Sequence, residues 1–163
     1  MTHVGLLSDT HAFLHPKIYD FFRDCHQIWH AGDIGSIALA DQLNAFKPLT
    51  AVYGNIDDHL LRLSYPETQL FYSEEVKVLM THIGGYPGKY TFSAKEIIEK
   101  ERPDLFITGH SHILKVMYDQ KNQLLHINPG AAGKSGFHQI ITLIRFQIDG
   151  KNINDLEILE LNK

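Results

Sequence analysis

Cysteine is almost absent from this sequence of 163 residues, since Cys25 is the only one. A single cysteine excludes a disulfide framework within the chain and leaves too few sulfurs for a thiolate metal site. Positive charge is not in excess either. The formal net charge is −4, so we expect no strong binding to nucleic acid.

Segments that mark export or membrane insertion are also missing. No apolar run approaches the roughly 18 residues of a membrane-spanning helix, and Met1 is not followed by a basic region, an apolar stretch and a cleavage site. The sequence therefore predicts a cytoplasmic protein without a membrane partner. Its length, with 44% hydrophobic and 21% charged residues, is typical of one globular domain, which we place at residues 1–163.

The first half of the chain alternates strands and helices. Short apolar runs at residues 4–8, 27–30 and 49–53 predict buried strands. Helices are predicted between them, beginning at Pro16 and after Ser36, because these residue types favour the start of a helix. Polar residues follow each strand, and in open α/β sheets the ligand crevice lies outside the carboxyl ends of the strands.

The second half contains more strands. The pattern predicts a hairpin over 69–80, a glycine-rich loop after Thr81, and a helix over 93–102 with Ser93 as its N-cap. Strands are predicted at 105–108, 115–119, 124–128, 139–148 and 153–161, the last four as successive antiparallel strands with a turn at Asp149-Gly150. Two sheets, one mixed and one more antiparallel, covered by three helices, give a layered α/β sandwich.

Histidine is unusually abundant, with eleven in the chain, and four of them belong to a set of seven metal-ligand side chains. The set supplies two carboxylates, one amide oxygen and four imidazoles, and each motif lies just beyond an apolar run. Its members are Asp9, His11, Asp33, Asn55, His82, His110 and His112. Each motif alone is also typical of an ordinary turn, so the prediction depends on all of them occurring in order.

Carboxylate and imidazole ligands suit divalent transition metals. Seven side chains are too many for one tetrahedral ion, but they fit two adjacent ions that share a carboxylate, with Asp33 offering one oxygen to each. Two such ions with two carboxylates and a bridging hydroxide leave about one net positive charge, which favours an anionic phosphate. We therefore expect hydrolysis of a small phosphate-ester substrate.

The order D-x-H, G-D, G-N, H, G-H-x-H resembles the calcineurin-like metallophosphoesterase superfamily, over residues 4 to about 130. The small size and Asn128-Pro129-Gly130 resemble its compact prokaryotic phosphodiesterase branch. The resemblance implies a four-layer αββα sandwich of two mixed β-sheets flanked by helices. It also implies a manganese-dependent phosphodiesterase, with nickel, iron and zinc as other metals that occupy such sites.

The resemblance further implies a role for each ligand. Three hold a first metal ion, three hold a second, and one bridges them; in that order they are Asp9, His11 and His112, then Asn55, His82 and His110, then Asp33. The catalytic group that it implies is a metal-bridging hydroxide with Asp33, Asn55 and His110. We expect His30 and Asn128 to support these ligands.

One departure from the family pattern concerns the leaving group. The superfamily commonly has a histidine after its Gly-Asn pair, and this histidine helps to protonate the leaving oxygen, whereas here the position is Ile56. General-acid help is typically worth about 10²–10⁴-fold. We therefore expect modest turnover and a preference for activated aryl diesters, with His59 as a candidate substitute acid.

Other functions fit parts of the same pattern. A phosphomonoesterase or nucleotidase would use the same ligands, and the sequence does not decide between it and a diesterase. A non-catalytic protein-binding scaffold, as in the retromer subunit that resembles this branch, would be indicated by lost ligands, but every ligand position is filled. A metallo-β-lactamase-type hydrolase would need His-x-His-x-Asp-His on one loop, which is absent. An exposed strand edge would allow a homo-oligomer.

Overall fold

A computed structural model describes all 163 residues and contains four helices and twelve strands. In chain order these are β1 (Thr2–Leu7), α1 (Lys17–Phe21), β2 (Gln27–His30), α2 (Ile37–Phe46), β3 (Leu49–Ala51), α3 (His59–Ser64), β4 (Thr68–Ser73), β5 (Val76–Thr81), β6 (Gly85–Tyr86), β7 (Lys89–Tyr90), α4 (Phe92–Glu101), β8 (Leu105–Ile107), β9 (Leu114–Asp119), β10 (Leu124–Pro129), β11 (Ile140–Asp149) and β12 (Asn152–Asn162). The longest helices have ten residues, and none could cross a bilayer.

Two five-stranded sheets form the centre of the molecule. The strand order is β12-β11-β1-β2-β3 in the first sheet and β4-β5-β8-β10-β9 in the second. In each sheet three neighbouring strands are parallel, and the other two pairings are antiparallel. Both sheets are equally mixed, so the expectation of one more antiparallel sheet is wrong. The reason is that β10 lies parallel to β8, while β11 returns to the first sheet beside β1.

The sheets pack face to face, and helices cover both outer faces. Fourteen buried residues form the core between the sheets, with Trp29 at its centre in edge-to-face contact with Phe146. Helices α1 to α3 cover the first sheet through residues such as Ile18 and Leu43, and α4 covers the second sheet through Ile98. Each of these side chains stabilises the fold by about 1.5–3 kcal/mol through burial. The four-layer αββα sandwich is thus confirmed.

The helix caps follow the sequence in one case and not in another. The Ser36 hydroxyl accepts the N–H of Leu39 at 3.2 Å, as expected of an N-cap. The prediction of Ser93 as a cap is wrong, because the Thr91 hydroxyl accepts the Ala94 N–H and Ser93 already lies in the first turn. The pattern could not separate these two hydroxyl residues, which lie only two positions apart.

Two short elements were not predicted. Helix α3 has six residues, of which only Leu61 is buried, so it lacks the apolar periodicity that marks a helix. Strands β6 and β7 pair within the predicted glycine-rich loop, where Gly85 lies opposite Tyr90 and Tyr86 opposite Lys89. Two residues are too few to produce an alternating pattern. Both elements flank the candidate site described below.

Candidate metal centre

The seven predicted ligands all follow the carboxyl ends of parallel strands. Asp9 and His11 follow β1, Asp33 follows β2, Asn55 follows β3, His82 follows β5, and His110 and His112 follow β8. Because parallel strands end at the same edge of a sheet, and the two sheets are stacked, these loops converge. Hydrogen bonds join them directly, including Asp9 N–H to Gly32 O at 2.9 Å and Gly109 N–H to His82 O at 3.0 Å.

The first group of candidate ligands combines the two sheets. Asp9, His11 and His112 each place a ligand atom within 4.8 Å of the others. Asp9 Oδ1 lies 3.1 Å from His112 Nε2 and 3.9 Å from His11 Nε2. The two imidazole rings meet edge to face, with centroids 5.6 Å apart.

The second group adjoins the first. Asp33, His82 and His110 also place ligand atoms within 4.8 Å of one another. Asp33 Oδ2 lies 3.2 Å from His82 Nε2 and 3.5 Å from His11 Nε2, so this one oxygen lies between histidines of both groups. Asn55 is exposed and lines a cleft of about 190 Å³ together with His82. Six of the seven predicted residues therefore form two adjacent clusters, with Asn55 at their margin.

Contacts behind the two carboxylates decide which oxygen faces the clusters. Asp9 Oδ2 accepts the Ser8 hydroxyl at 2.6 Å and the His110 N–H at 3.1 Å, which leaves Oδ1 free. Asp33 Oδ1 accepts the Ile56 N–H at 3.1 Å, which leaves Oδ2 free. The expectation that Asp33 offers one oxygen to each ion stays a prediction, because Oδ1 keeps a second lone pair beside its bond to the Ile56 N–H, while Oδ2 lies between histidines of both groups.

Unpartnered buried atoms test whether metal ions fit this arrangement. Asp9 Oδ1, His11 Nε2 and His82 Nε2 are buried without a hydrogen-bond partner, and each such atom costs about 1–3 kcal/mol. The Nδ1 of His82 lies 2.7 Å from Ala31 O, so Nδ1 carries the proton and Nε2 keeps its lone pair. Lone pairs on oxygen and imidazole nitrogen at one point are the donor set of a divalent transition metal.

Backbone conformation also distinguishes the site. Ten residues other than glycine have a left-handed backbone, and five of them are predicted ligands. The five are Asp9, His11, Asp33, His110 and His112, with φ of 54°, 48°, 55°, 71° and 62°. Such conformations cost roughly 1–3 kcal/mol each and persist where the surrounding structure imposes them, typically at functional sites.

A family profile matches residues 2–151 of the chain, almost its whole length, and describes the calcineurin-like phosphoesterase superfamily domain. The chain belongs to the calcineurin-like phosphoesterase superfamily. The resemblance of its ligand motifs to this superfamily is thereby confirmed. The superfamily comprises phosphoester hydrolases, and the two clusters are the candidate metal ligands of this member.

Relatives agree with this placement. A "probable metallophosphoesterase" of Methanothermobacter thermautotrophicus is 28% identical over 161 residues, which cover 96% of this chain and 91% of the relative. Among solved structures, an archaeal phosphodiesterase superposes with a TM-score of 0.76 at 22% identity, covering 98% of this chain and 99% of that one. Chaetomium thermophilum Vps29 superposes with a TM-score of 0.77 at 15% identity, covering 100% of both chains. These two structures share the fold of the phosphoesterase domain.

Neighbouring side chains hold both carboxylates of the site in the ionised state. Burial acts to raise the pKa of Asp9, but contacts with His112, His82 and Ser8 outweigh it and lower the pKa below its usual value. Burial likewise acts against ionisation of Asp33, and His82 reverses that effect, so this pKa is also lowered. Both carboxylates are therefore anionic at neutral pH and suited to cations.

Sequence reasoning missed Asp57 as a residue of this site. Its side chain is buried and accepts three backbone N–H groups: Gly54 at 2.7 Å, Ile34 at 3.1 Å and Gly35 at 2.8 Å. These contacts join the turn after β2, which carries Asp33, to the turn after β3. The only local signal is a carboxylate three residues after a turn glycine. The contacts from 34 and 35 depend on tertiary structure.

We expect Asp57→Asn to damage the metal centre of the phosphoesterase domain indirectly. Asparagine would place its NH₂ group, a donor, against at least one of the buried N–H donors. The lost hydrogen bond costs about 1–3 kcal/mol in the free energy of unfolding. Loss of such an orienting contact typically reduces metal affinity about 10–100-fold. Urea unfolding and Mn²⁺ titration measure both effects.

The neighbouring Asp58→Asn provides a matched control. Asp58 caps α3 by accepting the Leu61 N–H at 3.1 Å, and Asn caps a helix as well as Asp does. Stability and Mn²⁺ affinity should therefore stay at the wild-type values. Equal behaviour of the two variants would contradict the role assigned to Asp57.

His30 supports the site through the backbone. It is fully buried, its Nδ1 accepts the Gly32 N–H at 3.1 Å, and Nε2 therefore carries the proton and donates to Thr10 Oγ1 at 3.0 Å. The Thr10 hydroxyl then donates to Ile34 O at 2.8 Å. His30 thus fixes the loop after β1 against the turn that holds Asp33, without touching that carboxylate.

Asn128 holds the loop after β8. Its Nδ2 donates to Gly109 O at 2.9 Å and to Ser111 Oγ at 3.1 Å, and its Oδ1 accepts the Gly130 N–H at 3.0 Å. The carbonyl of Gly109 and the hydroxyl of Ser111 flank His110. The contacts fit the support that the sequence predicts for Asn128.

Acid should destabilise the metal-free protein through two buried histidines. Burial lowers the pKa of His30 to about 3 and that of His126 to about 4, whereas an unfolded histidine has a pKa of about 6.5. Below pH 6.5 the unfolded chain binds protons that the folded chain does not. The free energy of unfolding should therefore be highest above pH 6.5 and fall by up to about 1.4 kcal/mol per pH unit for each histidine.

Urea unfolding in chelator at pH 7, 6 and 5 measures this loss. Between pH 5 and 6.5 the lowered pKa values of Asp9 and Asp33 add no slope, because both groups are ionised in the folded and unfolded chains. The raised pKa of His82 acts in the opposite sense, because between pH 7 and about 6 the unfolded chain gains a proton that the folded chain already holds, so His82 offsets part of the loss in that interval. His126→Phe should reduce the loss by up to about 1.4 kcal/mol per pH unit; an unchanged slope would contradict the assignment.

Proposed function

We propose that the chain is a metal-dependent phosphodiesterase with two metal ions bound side by side. One observation carries the proposal: Asp33 Oδ2 lies 3.2 Å from His82 Nε2 and 3.5 Å from His11 Nε2, so one carboxylate oxygen faces both ligand clusters. Asp9, His11 and His112 would hold one ion and His82, His110 and Asn55 the other, with Asp33 shared. Manganese is the metal that we propose first, with nickel, iron and zinc as alternatives.

Two divalent ions at these positions would supply positive charge for the phosphoryl oxygens and lower the pKa of water enough to give a nucleophile near neutral pH. The side chains and backbone of the protein position the groups around the centre. Asp33 Oδ2 faces both clusters, His110 lines the cleft on one side, and Asn55 lines the cleft on the other. Left-handed backbone at the ligand loops keeps these groups in place before substrate arrives.

Two clefts beside the clusters favour a diester over a monoester. One, of about 360 Å³, includes His110 in its lining, and the other, of about 190 Å³, includes Asn55 and His82. Ile83 lines both clefts and therefore stands between them. A phosphate held at the clusters could direct one ester group into each cleft, whereas a monoester would fill only one.

Comparison of two chromogenic substrates tests the proposal. After chelation and reloading with Mn²⁺, bis(4-nitrophenyl) phosphate should be hydrolysed with a kcat/KM at least about tenfold above that of 4-nitrophenyl phosphate, because its second aryl group gains contacts in a cleft that the monoester leaves empty. Elemental analysis should find two Mn²⁺ per chain. A preference for the monoester would establish the phosphomonoesterase alternative, and a single bound ion would overturn the shared-carboxylate centre.

The leaving-group acid remains a separate prediction. His59 is the first residue of α3, its side chain is exposed, and it lines neither cleft. We therefore expect His59→Ala to leave the pH–rate profile unchanged and leaving groups to depart with little proton donation, so that aryl esters react faster than alkyl esters. Loss of the alkaline limb of the profile in His59→Ala would instead assign the acid to His59.

A protein-binding function is the second candidate. The edge strands of the second sheet, β4 and β9, expose apolar side chains, namely Leu70, Tyr72, Val116, Met117 and Tyr118, and unpaired strand edges favour association. A homo-oligomer is one such association. Sedimentation velocity of the wild type and of Met117→Lys tests it: a dimer lost in the variant would support it. The single-domain boundary at 1–163 and the cytoplasmic location stay predictions.

A further inference from the structure

The cleft on the Asn55 side contains an arginine that the candidate metal centre does not use. The volume of this cleft, about 190 Å³, is below the roughly 300–1,000 Å³ of a site for a drug-sized ligand, so the cleft suits a small group. Two candidate ligands, Asn55 and His82, line it, and so does Arg62 of helix α3. A group that extends from a phosphate at the clusters into this cleft therefore meets Arg62.

The guanidinium of Arg62 is held in place by three contacts. Its Nε donates to Asp57 O at 2.7 Å, and its Nη2 donates to Asn55 O at 3.2 Å. The central carbon of the group lies 4.7 Å from the centroid of the Tyr53 ring, within the range of a cation–π contact. An arginine side chain loses much rotamer freedom when it is fixed. Here the protein has already met that cost before any ligand binds.

These contacts leave one edge of the guanidinium free. The two carbonyls occupy the edge formed by Nε and Nη2, so the edge formed by Nη1 and Nη2 keeps its parallel N–H groups. Of the five N–H groups of a guanidinium, three have no partner in the protein. Parallel N–H groups match the two oxygens of a carboxylate or a phosphate. The free edge of Arg62 therefore suits an anion.

Arg145 shows the same arrangement with the anion present. Its guanidinium donates to Phe21 O at 2.8 Å and lies 4.5 Å from the centroid of the Phe21 ring, and its Nη2 pairs with Glu157 at 2.8 Å. Arg62 has the carbonyls and the ring but no carboxylate, although Glu67 lines the same cleft. The only arginine ion pairs are those of Arg145 and Arg23. The place of the anionic partner is thus open at Arg62.

Arg62 approaches the metal centre from the backbone side of Asn55. It bonds to the main-chain carbonyl of that residue, whereas the side-chain amide is the candidate ligand. It forms no ion pair with Asp9 or Asp33, the carboxylates of the two clusters. An anion on the free edge of Arg62 is therefore separate from a phosphate seated at the clusters, and one of the ester groups has to carry it.

We propose that Arg62 binds a second anionic group, a carboxylate or a phosphate, on the ester group that enters this cleft. The inference rests on the proposed phosphodiesterase function and narrows its substrates to diesters with a charged ester group. It makes Arg62 a specificity-determining residue, and it leaves the metal ligands and the hydrolytic step as described above.

Two matched reporter substrates test this recognition with Mn²⁺-loaded enzyme. The first is 2-carboxyethyl 4-nitrophenyl phosphate, and the second is its neutral amide, 2-carbamoylethyl 4-nitrophenyl phosphate, which has the same size and the same leaving group. The acid should have a kcat/KM at least about tenfold above that of the amide, the value of one hydrogen bond to a charged group. A larger ratio for the 2-phosphonoethyl ester would identify phosphate as the preferred anion.

Substitution of Arg62 separates recognition of charge from support of the turn. In Arg62→Met the acid-to-amide ratio should fall toward one while the kcat/KM of the amide changes little. Arg62→Lys keeps the charge without the fork of N–H groups, so its ratio should be intermediate. Equal losses for both substrates would overturn the proposal, because they would indicate a structural role or a contact with the reacting phosphate.

Arg145→Met is the matched control, since it removes an arginine from an aromatic ring outside this cleft. It should keep the wild-type ratio. Hydrolysis of both reporters with a ratio near one in the wild type would overturn the anion site while the phosphodiesterase stands. Calorimetric titration with the unreactive methyl esters of the same acid and amide covers the opposite case. Tighter binding of the acid without hydrolysis of any ester would support the anion site and overturn the phosphodiesterase.

Discussion

Asp33→Asn should fold normally and lose at least about 10³-fold in diester kcat/KM, because it removes the charge shared by both ligand clusters. The amide keeps an oxygen to accept the Ile56 N–H at 3.1 Å, and Asn tolerates the left-handed backbone at this position, where φ is 55°. Circular dichroism should therefore match the wild type. Elemental analysis should find one Mn²⁺ per chain or fewer.

Asp20→Asn is the matched control for this substitution. Asp20 lies exposed on α1, and its ion pair with Arg23 is a surface contact, which contributes little to stability. Metal content and activity should equal those of the wild type. If Asp33→Asn kept both ions and full activity, the proposal that Asp33 is shared would be wrong.

Gly54→Ala should disturb the centre from the opposite direction, by crowding. An added Cβ would overlap Asp33 Oδ1 and the Asp33 backbone nitrogen. The two segments cannot move apart freely. Asp33 Oδ1 is held by the Ile56 N–H, and the backbone of Gly54 is held by its hydrogen bond to Asp57. We expect a loss of about 1–3 kcal/mol in the free energy of unfolding and a Mn²⁺ affinity reduced about 10–100-fold.

Gly88→Ala separates crowding from backbone strain. An added Cβ there meets nothing within 4 Å, although its φ of 87° makes an alanine strained. We expect a cost of about 1–2 kcal/mol from the backbone alone and no change in Mn²⁺ titration. Equal losses of metal affinity in both variants would show that the effect is general destabilisation.

The sequence was most informative where metal-ligand residue types follow the ends of predicted strands. The ligand motifs could be found because aspartate, asparagine or histidine occurs just beyond each predicted strand, and parallel strands then bring the loops together at one edge. The fold class followed from the same alternation and from the family resemblance. Both are confirmed, while the metal roles of the individual residues remain proposals.

What the sequence did not reveal depends on tertiary contacts. Asp57 binds backbone groups more than twenty positions away, and His126 differs from an ordinary strand histidine only by its missing partners. The division of the last four strands between the two sheets depends on where β11 finds a partner. No local pattern encodes any of these features.

Each ligand cluster draws on both sheets, since Asp9, His11 and Asp33 come from the first sheet, and His82, His110 and His112 from the second. A cation seated there would act as a cross-link between the two halves of the sandwich, on top of the apolar core that already joins them. Tight coordination would then require both halves to be folded and docked. Removal of the ion would therefore lower the free energy of unfolding of the whole sandwich, because binding stabilises only the folded and docked state.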